Sequence, residues 1–338
     1  KTNLNPSVGC VVVKNNSVIS SGFTSIKGRP HAEYNALKNK KNYKDSSLYV
    51  TLEPCTHFGL TPPCSDLIAR KGIKNIFYSF SDVDKRTANK ISKKLAKRNI
   101  TVSKKKSNDF KNFYQSYFLI HQKKIPFIDA KIAISKDYFT INKKEKWITN
   151  YLSRKRAHLI RSEYDAIVST SKSINYDNSL LNCRLNGLDN SKPDLIIIDI
   201  DYKIKKNLNL FKKPSNRRIF IITSKYDVKK SYFFNKKKNV KVKVVKSLKN
   251  KKDFINLFMI LKKLKYNRIL VESGLLFLNE LLKKGLIFNL YMFKSSTKLG
   301  NKGKNNTSNS YLKRLKLNNR VKVNLNTDNL YKIKLNNV

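Results

Sequence analysis

The sequence predicts two successive α/β domains, each a sheet covered by helices. Short β-branched runs alternate with amphipathic segments along most of the 338 residues. A polar stretch over 105–124, closing in Lys123-Lys124-Ile125-Pro126, interrupts that alternation. The length itself corresponds to about two domains of roughly 150 residues.

In the first domain, Val8–Val13 is a β-branched run, Lys14–Ser17 a turn, and Val18–Phe23 the hairpin partner. Ala32–Lys41 reads as a helix and Leu48–Leu52 as a short buried strand. Pro62–Lys71 opens on prolines and stops before Gly72, which is helix punctuation. Ile76–Phe80 is a strand, Thr87–Arg98 an amphipathic helix and Ile100–Val102 a further strand. Strands joined by crossover helices imply a mixed sheet between helical layers. The 105–124 connector is expected to be helical and to end this domain at 124.

From 125 to 338 a second α/β unit is expected. Its strands are Phe127–Ile134, Ala166–Ser169, Leu195–Ile200, Ile219–Ile222, Val240–Val245, Ile269–Val271 and Leu286–Phe293. Segments 149–161, 253–265 and 275–284 carry helical spacing. Residues 295–310 read as a polar loop, and the tail alternates like a strand around 321–323 and 330–335.

Hydrophobic residues make up 40% of the chain, enough to build cores, so wholesale disorder is excluded. The net charge of +50 points toward nucleic acid or an anionic membrane. Two features argue the other way. The Lys is spread over the whole chain, and only 13 of the 72 basic residues are Arg, the better phosphate and guanine ligand. A Lys-, Asn- and Ile-rich composition poor in Gly and Pro is what an AT-rich genome writes. Apolar stretches such as 194–200 and 285–293 fall short of the ~20 residues of a membrane helix. The polar start, Lys1-Thr2-Asn3-Leu4-Asn5, has no apolar core like that of a signal peptide, so a soluble cytoplasmic chain is expected. Four irregularly spaced Cys make no disulfide framework.

The chemistry lies in Pro30-His31-Ala32-Glu33, followed by Pro54-Cys55 and Cys64. His-x-Glu with a later Pro-Cys and a second Cys is the signature of zinc nucleobase deaminases. His31 opens a helix and can meet zinc while Glu33, on the same turn, stays free. Cys55 and Cys64 would supply thiolates from the start of a second helix, where the dipole favours negative charge. Three protein ligands leave the fourth tetrahedral position to water, whose pKa the metal lowers. Glu33 would take the proton and pass it to departing ammonia. The competing readings are a metal-free His31, a Cys55–Cys64 disulfide, and a structural zinc with His57 as fourth ligand.

Most such deaminases place two residues between the cysteines; here there are eight, Thr56-His57-Phe58-Gly59-Leu60-Thr61-Pro62-Pro63. This resembles the C-x-H-x-G-x-T-P-P-C loop of the bifunctional riboflavin-biosynthesis deaminase/reductases. Asn5-Pro6-Ser7-Val8-Gly9 is similar to that family's N-P-x-V-G segment, and Leu52-Glu53-Pro54-Cys55 to its L-E-P-C. In the second half Lys131, Ser135 and Asp137, then Trp147-Ile148-Thr149, Arg161, and Val271-Glu272-Ser273-Gly274 match its K-x-x-x-S-x-D, W-I-T, helix-end Arg and V-E-x-G.

The resemblance implies a cytidine-deaminase-like three-layer α/β/α domain over 1–124 and a dihydrofolate-reductase-like α/β domain over 125–338. It implies zinc-dependent deamination of a diaminopyrimidine ribosylamine 5′-phosphate, then NADPH-dependent reduction of the ribose to a ribityl chain. His31, Cys55 and Cys64 carry over as zinc ligands, Glu33 as proton shuttle and Asn5 as a substrate contact. Ala133, Trp147, Ser173, Asp177, Gly274, Leu275 and Leu276 carry over to NADPH, and Lys131, Arg161, Leu181, Arg184 and Glu272 to the substrate. The residues themselves add that Arg161 and Arg184 could clamp a phosphate, and that Gly274 opens a helix whose N–H groups could meet one. No G-x-G-x-x-G follows a strand, which disfavours a Rossmann site. Cys10 reads as core, while Cys183, His121 and His158 sit in no motif.

The chain departs from the family pattern at substrate-gripping positions. The His before H-A-E is Thr24, the basic residue of the long loop is Leu60, and D-P-N-P is Asp82-Val83-Asp84-Lys85. In the second half a Gly is Tyr138, a Ser is Glu145, and D-D-P is Asp177-Asn178-Ser179. Three readings follow: the bifunctional enzyme, a deaminase with an eroded reductase half, or a nucleic-acid-editing deaminase. The first implies small anionic substrates, no membrane and no nucleic acid, with homo-oligomerisation open.

Overall fold

The computed structural model describes residues 5–335 apart from 40, 106, 108–109, 189–191, 213–215, 226 and 309, and for 111–112 the backbone alone. The chain divides into two compact units, Lys1–Lys124 and Ile125–Val338.

The first unit runs β1 (Gly9–Lys14), β2 (Ser17–Phe23), α1 (Ala32–Leu37), β3 (Ser47–Leu52), α2 (Cys64–Arg70), β4 (Asn75–Phe80), α3 (Ile91–Leu95), β5 (Thr101–Lys104) and α4 (Lys111–Gln122). The sheet order is β2-β1-β3-β4-β5. β1 is antiparallel to β2 and β3, and β3, β4 and β5 are parallel. The β1–β2 hairpin turns on Asn15 and Asn16, both with positive φ (49° and 59°), a conformation Asn tolerates and primed hairpin turns require. Cys10, Val12, Leu48, Val50 and Ile76 of the strands pack with Ala32, Ala36, Ile68 and Leu95 of the helices. α1 presses directly on β2 at Gly22, where a Cβ would lie 2.4 Å from both the Ala32 carbonyl oxygen and the Ala36 nitrogen.

The helix expected over 87–98 is shorter, comprising α3 and a 3-10 turn, Ala96–Arg98. The buried Glu53 carboxylate is the reason. It accepts the backbone N–H groups of Asp82 (3.2 Å), Asn89 (2.9 Å), Lys90 (3.0 Å) and Ile91 (3.3 Å), wrapping 82–90 around itself before the helix can start. Likewise α1 stops at Leu37, short of Lys41, and the helical part of the connector is confined to α4.

The second unit contains β6 (Phe127–Ile134), β7 (Phe139–Asn142), α5 (Tyr151–Ser162), β8 (Ala166–Thr170), α6 (Ser171–Asp177), β9 (Asp194–Ile198), α7 (Asn209–Lys212), β10 (Ile219–Thr223), α8 (Val228–Asn235), β11 (Val240–Val244), α9 (Lys251–Lys263), β12 (Arg268–Val271), α10 (Leu275–Lys283), β13 (Asn289–Lys294), β14 (Gly303–Asn306) and β15 (Asn329–Lys334). Its eight-stranded sheet has the order β11-β10-β9-β8-β12-β6-β13-β15, parallel except for the edge strand β15. Two apolar clusters cover its two faces, one with α9 and α10, the other with α5 and α8. Burial on both faces explains why β9 and β10 read as unbroken apolar runs. Side chains of Asn150, Thr170, Asp227 and Asn250 cap α5, α6, α8 and α9.

Several expectations fail here for one reason, that partner contacts override weak local patterns. The presumed loop 295–310 contains β14, which pairs with the equally unexpected β7. Asp137 sets that arrangement by accepting the N–H groups of Leu299 (3.0 Å) and Gly300 (2.8 Å). Residues 286–288 precede β13, and 321–323 form no strand, the neighbouring pairing being one bridge, Arg320 with Tyr331. α6, α7 and α8 also lacked a clear periodic signal.

Gly22→Ala is expected to cost the first unit about 2 kcal/mol through overpacking. Thermal unfolding should detect it, together with weakened metal retention because α1 begins beside His31; an unchanged melting temperature would contradict the close approach.

Candidate active sites

In the first unit the three potential ligands come from the ends of three elements. His31 sits in extended backbone immediately before α1, Cys55 lies in the loop after β3, and Cys64 is the first residue of α2. Contrary to the expectation from sequence, Cys55 is therefore not at the start of the helix but is held against it: the Cys64 N–H donates to Cys55 Sγ (3.2 Å) and the Ser65 N–H to the Cys55 carbonyl (3.1 Å). His31 Nδ1 is 3.6 Å from Cys55 Sγ and 3.4 Å from Cys64 Sγ, and the three ligand atoms lie within 4.8 Å of one another. A tetrahedral zinc with the usual bond lengths separates its ligands by about 3.6 Å, so the donor set fits. All four cysteines are free, which removes the disulfide reading. His57 is engaged elsewhere, its Nδ1 lying 2.9 Å from Thr87 Oγ1, and it is no fourth ligand.

The electrostatics agree with a cation site. A hydrogen bond from Cys64, aided by His31 and the Cys64 N–H, holds the Cys55 thiol near 4 despite its burial. The same shared proton and burial push Cys64 up. Two buried thiols this close ionise together only when a cation stands between them. Glu33 is buried beside them, and burial followed by the Cys55 charge raises its carboxyl to about 7.

In the second unit a carboxylate is again central. Glu272, directly after β12, receives Arg161 from the last turn of α5 through Nε–Oε1 (2.5 Å) and Nη2–Oε2 (2.8 Å), and Lys131 from β6 at 3.4 Å. Burial alone would raise the Glu272 carboxyl, but Arg161 and Lys131 outweigh it and hold it at about 2. Arg161 is thus committed to Glu272 instead of standing free as a phosphate clamp. Its Nη1 also donates to the Asn182 carbonyl (3.2 Å), which His158 Nδ1 meets at 2.8 Å. Arg217, itself buried, donates to the carbonyls of Leu181 (2.7 Å) and Leu180. Ser173 Oγ accepts the Gly274 N–H at 2.9 Å, joining the ends of β8 and β12.

Two family models match the chain: the RibD C-terminal domain over residues 126–330, and the cytidine and deoxycytidylate deaminase zinc-binding region over 1–80. The riboflavin biosynthesis protein RibD of Buchnera aphidicola is 32% identical over 90% of this chain and 84% of its own. That of Aquifex aeolicus is 33% identical over 86% and 81%. The chain belongs to the RibD family. Among solved structures, the Thermotoga maritima diaminohydroxyphosphoribosylaminopyrimidine deaminase/5-amino-6-(5-phosphoribosylamino)uracil reductase superposes with a TM-score of 0.82 at 26% identity, covering 99% of this chain and 94% of that one. The Acinetobacter baumannii RibD shares the fold, with a TM-score of 0.81 at 24% identity over 99% and 93%. The chain therefore pairs a cytidine-deaminase-like domain with a dihydrofolate-reductase-like one, and both enzymatic halves are present.

Within this RibD-family chain the sequence-derived positions fall into groups. Lys131, Arg161 and Glu272 form one buried cluster, while Ser173 and Gly274 form another contact. Leu181 has a left-handed backbone (φ 46°) and its side chain is in the core, leaving its main chain as the part that shapes the 178–184 loop. Arg184 is exposed, bonded to Asn182 Oδ1 at 2.5 Å. Burial raises the Asp177 carboxyl, against the pull of Lys146 and Lys131. Trp147 is exposed under the Arg154 guanidinium, 5.0 Å from its ring. Ala133 is half-buried in β6; Leu275 packs on the core and Leu276 is exposed in the first turn of α10. Asn5 donates to the Gly28 carbonyl at 2.7 Å, tying the opening segment to the turn before His31.

Sequence reasoning missed Tyr114, whose hydroxyl meets Thr51 Oγ1 (2.6 Å) and donates to the Ser7 carbonyl (3.0 Å), pinning that segment from α4. It also missed Arg217 and His158, which no motif flagged. Burial, then Arg161 and Arg184, lower His158 to about 4, so it is a neutral hydrogen-bonding group near neutrality.

Glu272→Gln should leave Arg161 and Lys131 without a counter-charge and destabilise the second unit by about 3 kcal/mol. Because the native carboxyl is held below its usual value, the wild-type contribution is present above pH 4.5 and fades as pH falls toward 2. Urea unfolding across this range should show a steep wild-type dependence and a shallower one in the variant; equal slopes would contradict the pairing.

Proposed function

We propose that the chain catalyses two consecutive steps of riboflavin biosynthesis: hydrolytic deamination of 2,5-diamino-6-ribosylamino-4(3H)-pyrimidinone 5′-phosphate, then NADPH-dependent reduction of its ribose. The observation that carries the reading is the His31–Cys55–Cys64 triangle with buried Glu33 beside it, in a chain whose second unit matches the RibD C-terminal domain. When bound, zinc supplies activation of a water at neutral pH. Glu33 takes up the proton and delivers it to the departing amine, a role suited to a carboxyl near 7. Asn5 orients the substrate from the strand-opening segment.

In the reductase half, Arg184 and the Lys131–Arg161–Glu272 cluster bind the substrate, Leu181 contributing through its main chain. Ala133, Trp147, Ser173, Asp177, Gly274, Leu275 and Leu276 hold NADPH. The Ser173–Gly274 contact supports this, since it fixes the start of α10, where N–H groups face a phosphate favourably. Both ligands are small anions, so the positive field assists their capture without any nucleic-acid partner. No helix among the described residues is long and apolar enough to cross a membrane.

Incubation of the zinc-loaded protein with the diaminopyrimidine phosphate should release ammonia, followed by NADPH oxidation. Glu33→Gln should keep zinc and lose deamination by about 10³-fold, while reduction of the deaminated intermediate persists. Ammonia release without NADPH oxidation would select a deaminase with an inactive second half; no ammonia release with zinc bound would overturn the proposal.

A further inference from the structure

The loop between Cys55 and Cys64 carries neither Lys nor Arg, and its Leu60 is 89% exposed. A phosphorylated substrate at this mouth needs a cation from elsewhere. Arg29, two residues before His31, reaches the same loop: its Nη1 donates to Thr61 Oγ1 at 2.5 Å. Its Nη2 lies 3.4 Å from the point a Cβ on Gly59 would occupy, and His57 Nε2 lies 3.8 Å from that point. His57 is oriented by its other nitrogen on Thr87, which turns Nε2 toward Gly59. Two nitrogen groups thus converge on the bare face of a glycine. The ion pairs among the described residues of this unit are Arg86–Asp84 and Lys94–Asp66, so no carboxylate neutralises Arg29 there. The Thr61 bond uses one of the five guanidinium N–H groups, and the fork geometry of the remainder suits a phosphate.

We propose that Arg29, assisted by His57 Nε2 beside Gly59, grips the phosphate of the pyrimidine nucleotide in the deaminase site, supplying the cation that the loop between Cys55 and Cys64 lacks. This rests on the deaminase reading above and assigns a binding role to residues that carry none in it. The test compares ammonia release by the full zinc-loaded chain from the phosphorylated substrate and from its dephosphorylated nucleoside.

Arg29→Met should raise KM for the phosphorylated substrate by about tenfold to a hundredfold, the loss of one or two charge-assisted hydrogen bonds, with kcat nearly unchanged. The KM for the nucleoside should not move. Arg29→Lys should keep most of the preference, and inorganic phosphate should inhibit wild-type deamination competitively but not that of Arg29→Met. Gly59→Ala, whose methyl group would lie 3.4 Å from Arg29 Nη2 and 3.8 Å from His57 Nε2 and so crowd both donors, should raise KM for the phosphorylated substrate alone even if Arg29→Met folds poorly. Equal losses on both substrates, or Arg29→Lys as impaired as Arg29→Met, would reduce Arg29 to a prop for Thr61 and overturn the inference. Absence of ammonia from either substrate with wild-type protein would instead overturn the deaminase reading itself.

Discussion

Glu53 stands at the end of β3 with four backbone N–H groups donating to its buried carboxylate, and the loop bearing Cys55 starts from the next residue but one. A buried carboxylate is tolerable only when its lone pairs are filled, so the 82–91 segment is obliged to close over it. Thr87 is carried with that segment, and Thr87 in turn orients His57. The second unit repeats the device. Asp199, at the end of β9, accepts Ser171 Oγ and the N–H groups of Lys203 and Ile204, and Asp129 in β6 accepts Tyr164 and Asn289. Carboxylates at or near strand ends fix the loops, and the loops hold the sites.

This changes the meaning of the charge imbalance. With 22 acids against 72 bases, a typical acid could satisfy itself with a surface lysine. The buried ones mostly do not. Their partners are largely backbone N–H groups and hydroxyls, whose supply is unaffected when surface positions drift to Lys. Lysine meanwhile is absorbed where it costs little, as in Lys236 over the Tyr232 ring at 4.4 Å and Lys284 over Phe254 at 5.4 Å. Glu272 is the exception that matters, because its partners are charged side chains, Arg161 and Lys131, placed at a proposed substrate site.

What could be read in the sequence follows the range of the forces involved. β9 and β10 were legible because a parallel strand buried on both faces reads as a near-continuous apolar run. The zinc triangle was legible because each ligand sits within three residues of a helix start or a strand end, so spacing implies geometry. β7 and β14 were not legible: their residues are polar or half-exposed, and they exist through long-range pairing, such as Gly303 with Asn142, and the Asp137 anchor. Arg29, Tyr114 and Arg217 were missed for the same reason, since each acts through a side chain reaching a distant carbonyl or hydroxyl. Asp137, matched to the K-x-x-x-S-x-D pattern, holds a turn through the Leu299 and Gly300 N–H groups.

The two sites therefore differ in what substitution can do to them. Metal ligation is set by three residues at element ends, with distances near 3.5 Å that leave little latitude. Gripping the substrate asks only for a cation or donor somewhere on the rim, and a flexible Arg can reach it from more than one position. Hence the chain carries the His-x-Glu and Pro-Cys signature, while the loop between the two cysteines has neither Lys nor Arg. A departure at the rim is then no sign of lost chemistry, provided another side chain covers the same point in space. Beside Gly59 the guanidinium of Arg29 is the side chain proposed for that part.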